Sequence, residues 1–463
     1  MPKLWGGRFT KSASKLMEEF NDSLSFDKRL WKEEIQASLA YSVALTKAGI
    51  FSKLESPKIK SAFRDIEREF ESKKFKFKPE DEDIHTAIER RLVEKVGEIG
   101  KKIHTGRSRN EQVVTDERIF LKRTNLEIED LVSDLQKSVR DLAEKTVNDI
   151  VPSYTHLQQA QLVRLGHYFM SLFFMLENDR QRFDDLQKRI DVLPLGSGAV
   201  AGSTLKLDRN TLKHELGFNE LSPNSIAAVS DRDFINEFLF DAAQTLIHLS
   251  RFAEDLIMWS STEFGFVELD DLYSTGSSMM PQKKNPDSLE LIRGKVSRTI
   301  ANLNSLLILQ KGLPLTYSKD LQEDKEPLFD SVDTLTSALK VFTGVISTLE
   351  IRRRNLMRNV DDSIYATDVA DYLVERGVPF RNAHRIVGKL VLTGIDNGKR
   401  IRDFSISELK KISKYFDHEY YRVFDPVRSV ERHDVYGGTS LKRVNEQIKL
   451  ANNLLVKGRL QNR

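Results

Sequence analysis

At 463 residues the chain is too long for one ordinary domain and long enough for about three. Lys and Arg total 72 against 69 Asp and Glu, and the formal net charge of +3 offers no basic excess for a dedicated nucleic-acid binder. Cysteine is absent, which excludes disulfide scaffolds, thiolate nucleophiles and Cys-ligated metal centres and fits a reducing compartment.

The segment Met1–Arg8 lacks the apolar core of a signal peptide, and no stretch approaches the roughly 20 apolar residues of a membrane span. The expectation is a cytoplasmic protein with no membrane and no nucleic-acid partner. Residues 1–106 read as shorter helices broken by Gly49, Pro57, Pro79 and Gly97. From Glu111 to Val151 there is neither Gly nor Pro, and Ile128, Leu131, Val132, Leu135, Val139, Leu142 and Ala143 recur at helical spacing. Uninterrupted runs also cover 167–193, 224–264, 295–311 and 328–343. Beyond about Arg354 the helices shorten again, broken by Gly377, Pro379, Gly394, Gly437 and Gly438. The pattern predicts an all-α chain with three helical domains, 1–106, 107–355 and 356–463, the middle one a bundle of long helices. Around Phe238–Trp259 the apolar residues spread beyond one stripe, which predicts a multi-helix core shared between subunits.

Four segments carry chemistry. Ile103–Asn110, ahead of the first long helix, offers His104, Thr105, Arg107, Ser108, Arg109 and Asn110, and Arg forks grip carboxylates in pairs. Ser153–Gln158 holds His156, a proton-transfer candidate because its pKa lies near neutrality. Ser274–Pro286 is a Gly- and Ser-rich loop with Lys283 and Lys284, in which Asn285 reads as a helix cap with Pro286 at the first helical position. Such a stretch suits an anion or charge that develops during reaction; composition alone also allows a basic surface loop. Tyr317–Pro327 is a dense polar connection. The nine histidines show no ligand-type pairing, so no metal is expected.

Taken together, these segments resemble the fumarase/aspartase superfamily and, within it, the argininosuccinate lyase family. Gly276–Pro286 resembles the superfamily's Gly-Ser-Ser-x-x-Pro loop followed by Lys-x-Asn. Trp5-Gly6-Gly7-Arg8-Phe9, His104–Asn110, Tyr154–Gln158 and Lys319–Leu328 resemble the narrower family, and similarity extends to Gly377–Phe380. The chain departs at Glu111 and Ala227, where Asp is common, at Asn382 in place of Glu, and at Leu162 in place of Pro. The Lys319–Leu328 and Trp5–Phe9 stretches argue against adenylosuccinate lyase or aspartase. Retention of Ser277, Lys283, Asn285, Glu290 and His156 argues against a non-catalytic, crystallin-like role.

The resemblance implies reversible cleavage of argininosuccinate to arginine and fumarate by anti β-elimination, without a cofactor. It implies Ser277 as base, Lys283 as stabiliser of the developing dianion, and His156 as acid with Glu290 orienting it. It places Ser108, Arg109, Asn110, Thr155 and Asn285 at the carboxylates. Tyr317, Gln322 and Lys325 fall at the arginine portion, with Ser23, Asp27 and Asp83 nearby. It further implies a homotetramer whose sites draw on three chains.

Overall fold

Where the sequence withholds Gly and Pro, the chain is helical. In the computed structural model, which describes residues 10, 11 and 13–461, five long helices dominate. They are α1 (Arg109–Lys145), α2 (Leu165–Ile190), α3 (Asp233–Ser260), α4 (Asp287–Gln310) and α5 (Lys325–Thr348). The Trp5–Phe9 motif lies outside the described residues. No described helix is long and apolar enough to cross a membrane.

Two deviations from the sequence reading have physical causes. The run 224–264 is not one helix: a short helix, Ser225–Ser230, stops before α3 begins. At the break, Arg232 is completely buried, its Nη1 donating to the carbonyls of Val229 (3.3 Å) and Asp231 (3.0 Å) and its Nε to Asp324 (2.6 Å). Enclosing that charge network takes precedence over local helix propensity. Strands also intrude on the all-α pattern, as short two-stranded pairs. The longest is the hairpin of β1 (Ile150–Thr155) and β2 (Gln158–Arg164); the other that matters here joins β3 (Thr275–Gly276) to β4 (Lys284–Asn285).

The chain divides into two compact units. The first comprises residues up to Glu129, Gln181–Gln244 and Val296–Thr336; the second comprises Asp130–Arg180, Thr245–Lys295 and the chain from Ser337. In the first, helices Trp31–Lys47, Ser56–Glu71 and Ile84–Val96 pack against one another, and side chains of the first and third of them bond to the N-terminal half of α1. Every residue of α1 from Glu111 to Leu121 is buried, including Glu111, Asp116, Glu117 and Arg118. A helix buried on all sides with charges among its residues demands partners for each of them.

The second unit holds an apolar core built from Tyr365, Val369, Leu373, Leu390, Phe416 and Tyr420. Leu162 of β2 joins this core at 2 % exposure, which accounts for an aliphatic residue at that position.

Most of the apolar surplus of α3 is already covered within one chain. Phe238, Leu239, Ala242, Leu246, Phe252, Leu256 and Trp259 are all buried. Apolar side chains left open on the long helices are Leu126 of α1, Phe240 of α3 and, most of all, Leu291, Ile300, Leu307 and Ile308 of α4.

Candidate active site

Nine of the predicted site residues fall in the first unit. Asp83 caps the helix Ile84–Val96, accepting the Thr86 N–H at 2.6 Å. Its other oxygen lies 2.9 Å from Arg109 Nε, and Arg109 Nη2 donates to Thr86 Oγ1 at 3.0 Å. Asp27 accepts from Ser23 Oγ (2.6 Å) and from the Ile84 N–H (3.0 Å), which sets Ser23, Asp27, Asp83 and Arg109 in one cluster. Burial raises the Asp27 carboxyl above its ordinary range. Asp83 goes the other way: burial opposes its charge, but Arg109 and His85 hold its pKa down.

Ser108 closes the N-terminus of α1. Its hydroxyl accepts the Asn110 N–H (3.2 Å) and its carbonyl the Gln112 N–H (3.2 Å). Ser108, Arg109 and Asn110 therefore stand at the positive end of a 37-residue helix, where an anion is favoured.

Tyr317, Gln322 and Lys325 lie ahead of and at the start of α5. Lys325 Nζ is 2.9 Å from both Glu117 and Asp324, and Arg232 Nε faces the same two carboxylates at 3.2 and 2.6 Å. Burial would depress the Lys325 pKa, but Asp324 and Glu117 raise it above its ordinary value. Burial and Asp324 push Glu117 up to about 7 despite the two cations. Tyr317 feels all four charges, and burial raises its phenol. Gln322 Nε2 reaches the carbonyl of Asn21, two residues before Ser23, at 3.4 Å, which links the start of α5 to the segment that holds Ser23 and Asp27. Thr316, immediately before Tyr317, is held at φ +79, a conformation costly for a β-branched residue.

A network the sequence did not reveal lies behind Arg109. Gln112 accepts from Arg109 Nη1 and donates to Glu34 (2.7 Å), which also takes Ser38 Oγ (2.6 Å) and faces His85 Nδ1 at 2.8 Å. Asp116 stands 3.4 Å from His85 Nδ1, and burial beside Glu34 raises its pKa far above the ordinary range. These residues sit on three helices at spacings that read as ordinary polar faces; only packing reveals them.

The remaining six predicted residues fall in the second unit. Thr155 and His156 are exposed at the tip of the β1–β2 hairpin. His156 and Leu157 have φ of +54 and +58, the left-handed pair of a tight hairpin turn that Asn-Gly normally supplies. Bulky residues there carry strain, a feature that concentrates at functional sites. Ser277 opens the loop between β3 and β4. Its Oγ accepts the N–H groups of Met280 (3.0 Å) and Met279 (3.3 Å).

Asn285 is not the helix cap that the sequence suggests. It pairs with Thr275 in the β3–β4 ladder, its side chain reaches toward the Gly276 carbonyl at 3.5 Å, and the Pro286 carbonyl takes the first helical N–H groups of Leu289 and Glu290. Lys283, Asn285 and Glu290 line a cavity of 1130 Å³ together with Glu268 and Arg352. His156 and Glu290 share no hydrogen bond within the chain; Tyr154 and Leu157, which flank the His156 turn, line a separate cavity of 460 Å³.

Comparisons with known proteins identify the family. Residues 7–301 match the lyase family and residues 363–431 the argininosuccinate lyase C-terminal family. The chain is 48% identical over 454 residues to argininosuccinate lyase of Carboxydothermus hydrogenoformans, covering 98% of this chain and 100% of that one. It is 50% identical over 456 residues to the enzyme of Symbiobacterium thermophilum, covering 98% and 99%. Among solved structures, EDDS lyase in complex with formate superposes with TM-score 0.86 at 28% identity, over 98% of this chain and 92% of that one. Class II fumarase from Schistosoma mansoni, at 16% identity and TM-score 0.75 over 90% and 94%, shares the fold.

Proposed function

The chain belongs to the argininosuccinate lyase family, and from that premise we propose that it cleaves argininosuccinate reversibly to arginine and fumarate by anti β-elimination, with Ser277 as the base. The difficult step is removing a proton from the carbon beside a carboxylate, which makes a dianionic aci-carboxylate. Fixed positive partners must meet that charge as it forms.

The observation that carries the reading is at Ser277. A serine hydroxyl is too weak a base unless its alkoxide is stabilised, and two loop N–H groups already point at Ser277 Oγ. Lys283 and Asn285 stand on the same loop and its adjoining strand to hold the carboxylate. The Ser277 alkoxide takes the carbon-bound proton. The carbon–nitrogen bond then breaks, and the departing guanidino nitrogen receives a proton from His156. Closure of the β3–β4 loop on substrate excludes water and makes the alkoxide competent.

Binding is divided. Ser108, Arg109, Asn110 and Thr155 hold the carboxylates, while Tyr317, Gln322 and Lys325, with Ser23, Asp27 and Asp83, take the arginine portion. The proposed assembly is a cytoplasmic homotetramer in which segments of three chains complete each site and bring Glu290 of one chain to orient His156 of another. The open apolar residues of α4 supply a surface for that association. In the test, purified protein mixed with argininosuccinate gives rising ultraviolet absorbance from fumarate, and adenylosuccinate or aspartate gives none. Absence of fumarate from argininosuccinate would refute the activity.

A further inference from the structure

Glu111 follows Asn110 directly, at a position where Asp is common in the family, and its side chain is completely enclosed. Its carboxylate gathers three backbone N–H groups from two places. Oε1 accepts from Ser108 at 3.0 Å, and Oε2 accepts from Gly196 at 2.6 Å and Gly198 at 2.9 Å. The first bond runs back to the residue that closes α1, as in a capping box. The other two reach a distant segment, Pro194–Ser203.

That segment is built to be held. Gly196 and Gly198 have φ of +95 and +62, and a Cβ at Gly198 would stand 2.9 Å from the Gly202 carbonyl oxygen, so the turn requires glycine. Arg209 fixes the segment's start from the opposite polarity: Nε donates to the Leu195 carbonyl (3.1 Å) and Nη2 to that of Leu193 (3.0 Å). One buried anion thus holds the N–H groups and one cation the carbonyls. Farther along, the Ala199 carbonyl receives Asn110 Nδ2 at 3.4 Å. Glu111 and Asn110, neighbours in sequence, are tied to the same segment.

We infer that Glu111 is a positioning residue: it locks Pro194–Ser203 to the N-terminus of α1 and thereby fixes the aim of Ser108, Arg109 and Asn110 at a substrate carboxylate. The inference rests on the reading of those three residues as carboxylate ligands. Glu111 does not touch substrate and takes no part in proton transfer. Its loss loosens the grip without changing the reacting groups, so KM rises while kcat holds.

The experiment compares wild type, Glu111→Gln and Glu111→Asp by steady-state fumarate release, by calorimetric titration with fumarate, and by amide hydrogen exchange. Glu111→Gln should raise KM and the fumarate Kd about tenfold with kcat within about threefold, and should speed exchange at Ser108, Gly196 and Gly198 together. Glu111→Asp, which keeps the anion, should recover most of the loss. An active wild type beside a Gln variant of unchanged KM overturns the inference. So does unaltered exchange at the two glycines, whatever the turnover. An inactive wild type in which the Gln variant still frees the three amides and weakens fumarate binding counts against the proposed reaction alone. If the Gln variant does not fold, Gly198→Ala disturbs the lock from its other side, and a normal KM there overturns the inference equally.

Discussion

In the first unit, the residues proposed to grip substrate are buried or half-buried, and the charged ones are already paired: Lys325 between Glu117 and Asp324, Arg109 against Asp83, Asp27 beneath Ser23 and the Ile84 N–H. In the second, Ser277, Lys283 and His156 stand on hairpin loops. Lys283 and His156 are exposed, and Ser277 is held by two backbone N–H groups alone. The difference is one of energetics. Buried charge clusters fix geometry before substrate arrives, at a desolvation cost met by mutual pairing. Open loops give little stability and are free to close. On the proposed assignment, recognition is prebuilt and catalysis is assembled on demand.

Two substitutions set this contrast most sharply. Lys283→Ala should lower kcat about 10²–10³-fold while shifting stability by no more than about 0.5 kcal/mol. Lys325→Met should instead destabilise the fold by about 3–5 kcal/mol in urea unfolding, because Glu117 and Asp324 would be left facing Arg232 alone. A Lys283→Ala variant that unfolds, or a Lys325→Met variant with an unchanged urea midpoint, would erase the distinction.

The acid limb gives a smaller effect in the first unit. Hydrogen bonds from Arg91 and Lys95 hold Glu69 at about 2, below its ordinary 4.5, and Lys78, Arg91 and Arg90 do the same for Glu94. A depressed carboxyl contributes stability that is present above pH 4.5 and lost as pH falls toward 2. Thermal midpoints should therefore drop across that window, and Glu69→Gln should flatten the drop. An unaltered slope would show that these pairs contribute nothing.

Smaller still is the strain at the β1–β2 turn. Leu157→Gly accepts the positive φ without penalty and should raise stability by about 1 kcal/mol in the same unfolding assay. A loss of stability would mean that the turn is relaxed as it stands.

Elements governed by composition were legible from the sequence. The absence of Gly and Pro announced α1 and α2, and the loop holding Ser277 stood out because no helix tolerates its prolines and glycine. Features decided by packing were not. Arg232 interrupts an unbroken helical run because two distant carboxylates and neighbouring carbonyls claim its guanidinium. Asn285 is drawn into a strand pair, which moves the helix start to the Pro286 carbonyl. Glu34, His85 and Asp116 read as ordinary polar residues of three helices, and only packing turns them into a network; the tie of Glu111 to Gly196 and Gly198 likewise exists only in the fold. The apolar surplus of α3 suggested neighbouring subunits; this chain covers most of it and leaves Phe240 open.

The division between prebuilt grip and loop-borne chemistry is tested most directly with Ser277→Ala, measuring fumarate release and argininosuccinate affinity in one preparation of unchanged assembly. Release should fall by at least about 10³-fold while the calorimetric Kd for argininosuccinate stays within about threefold of wild type. Turnover within tenfold of normal, or affinity lost together with turnover, would contradict it.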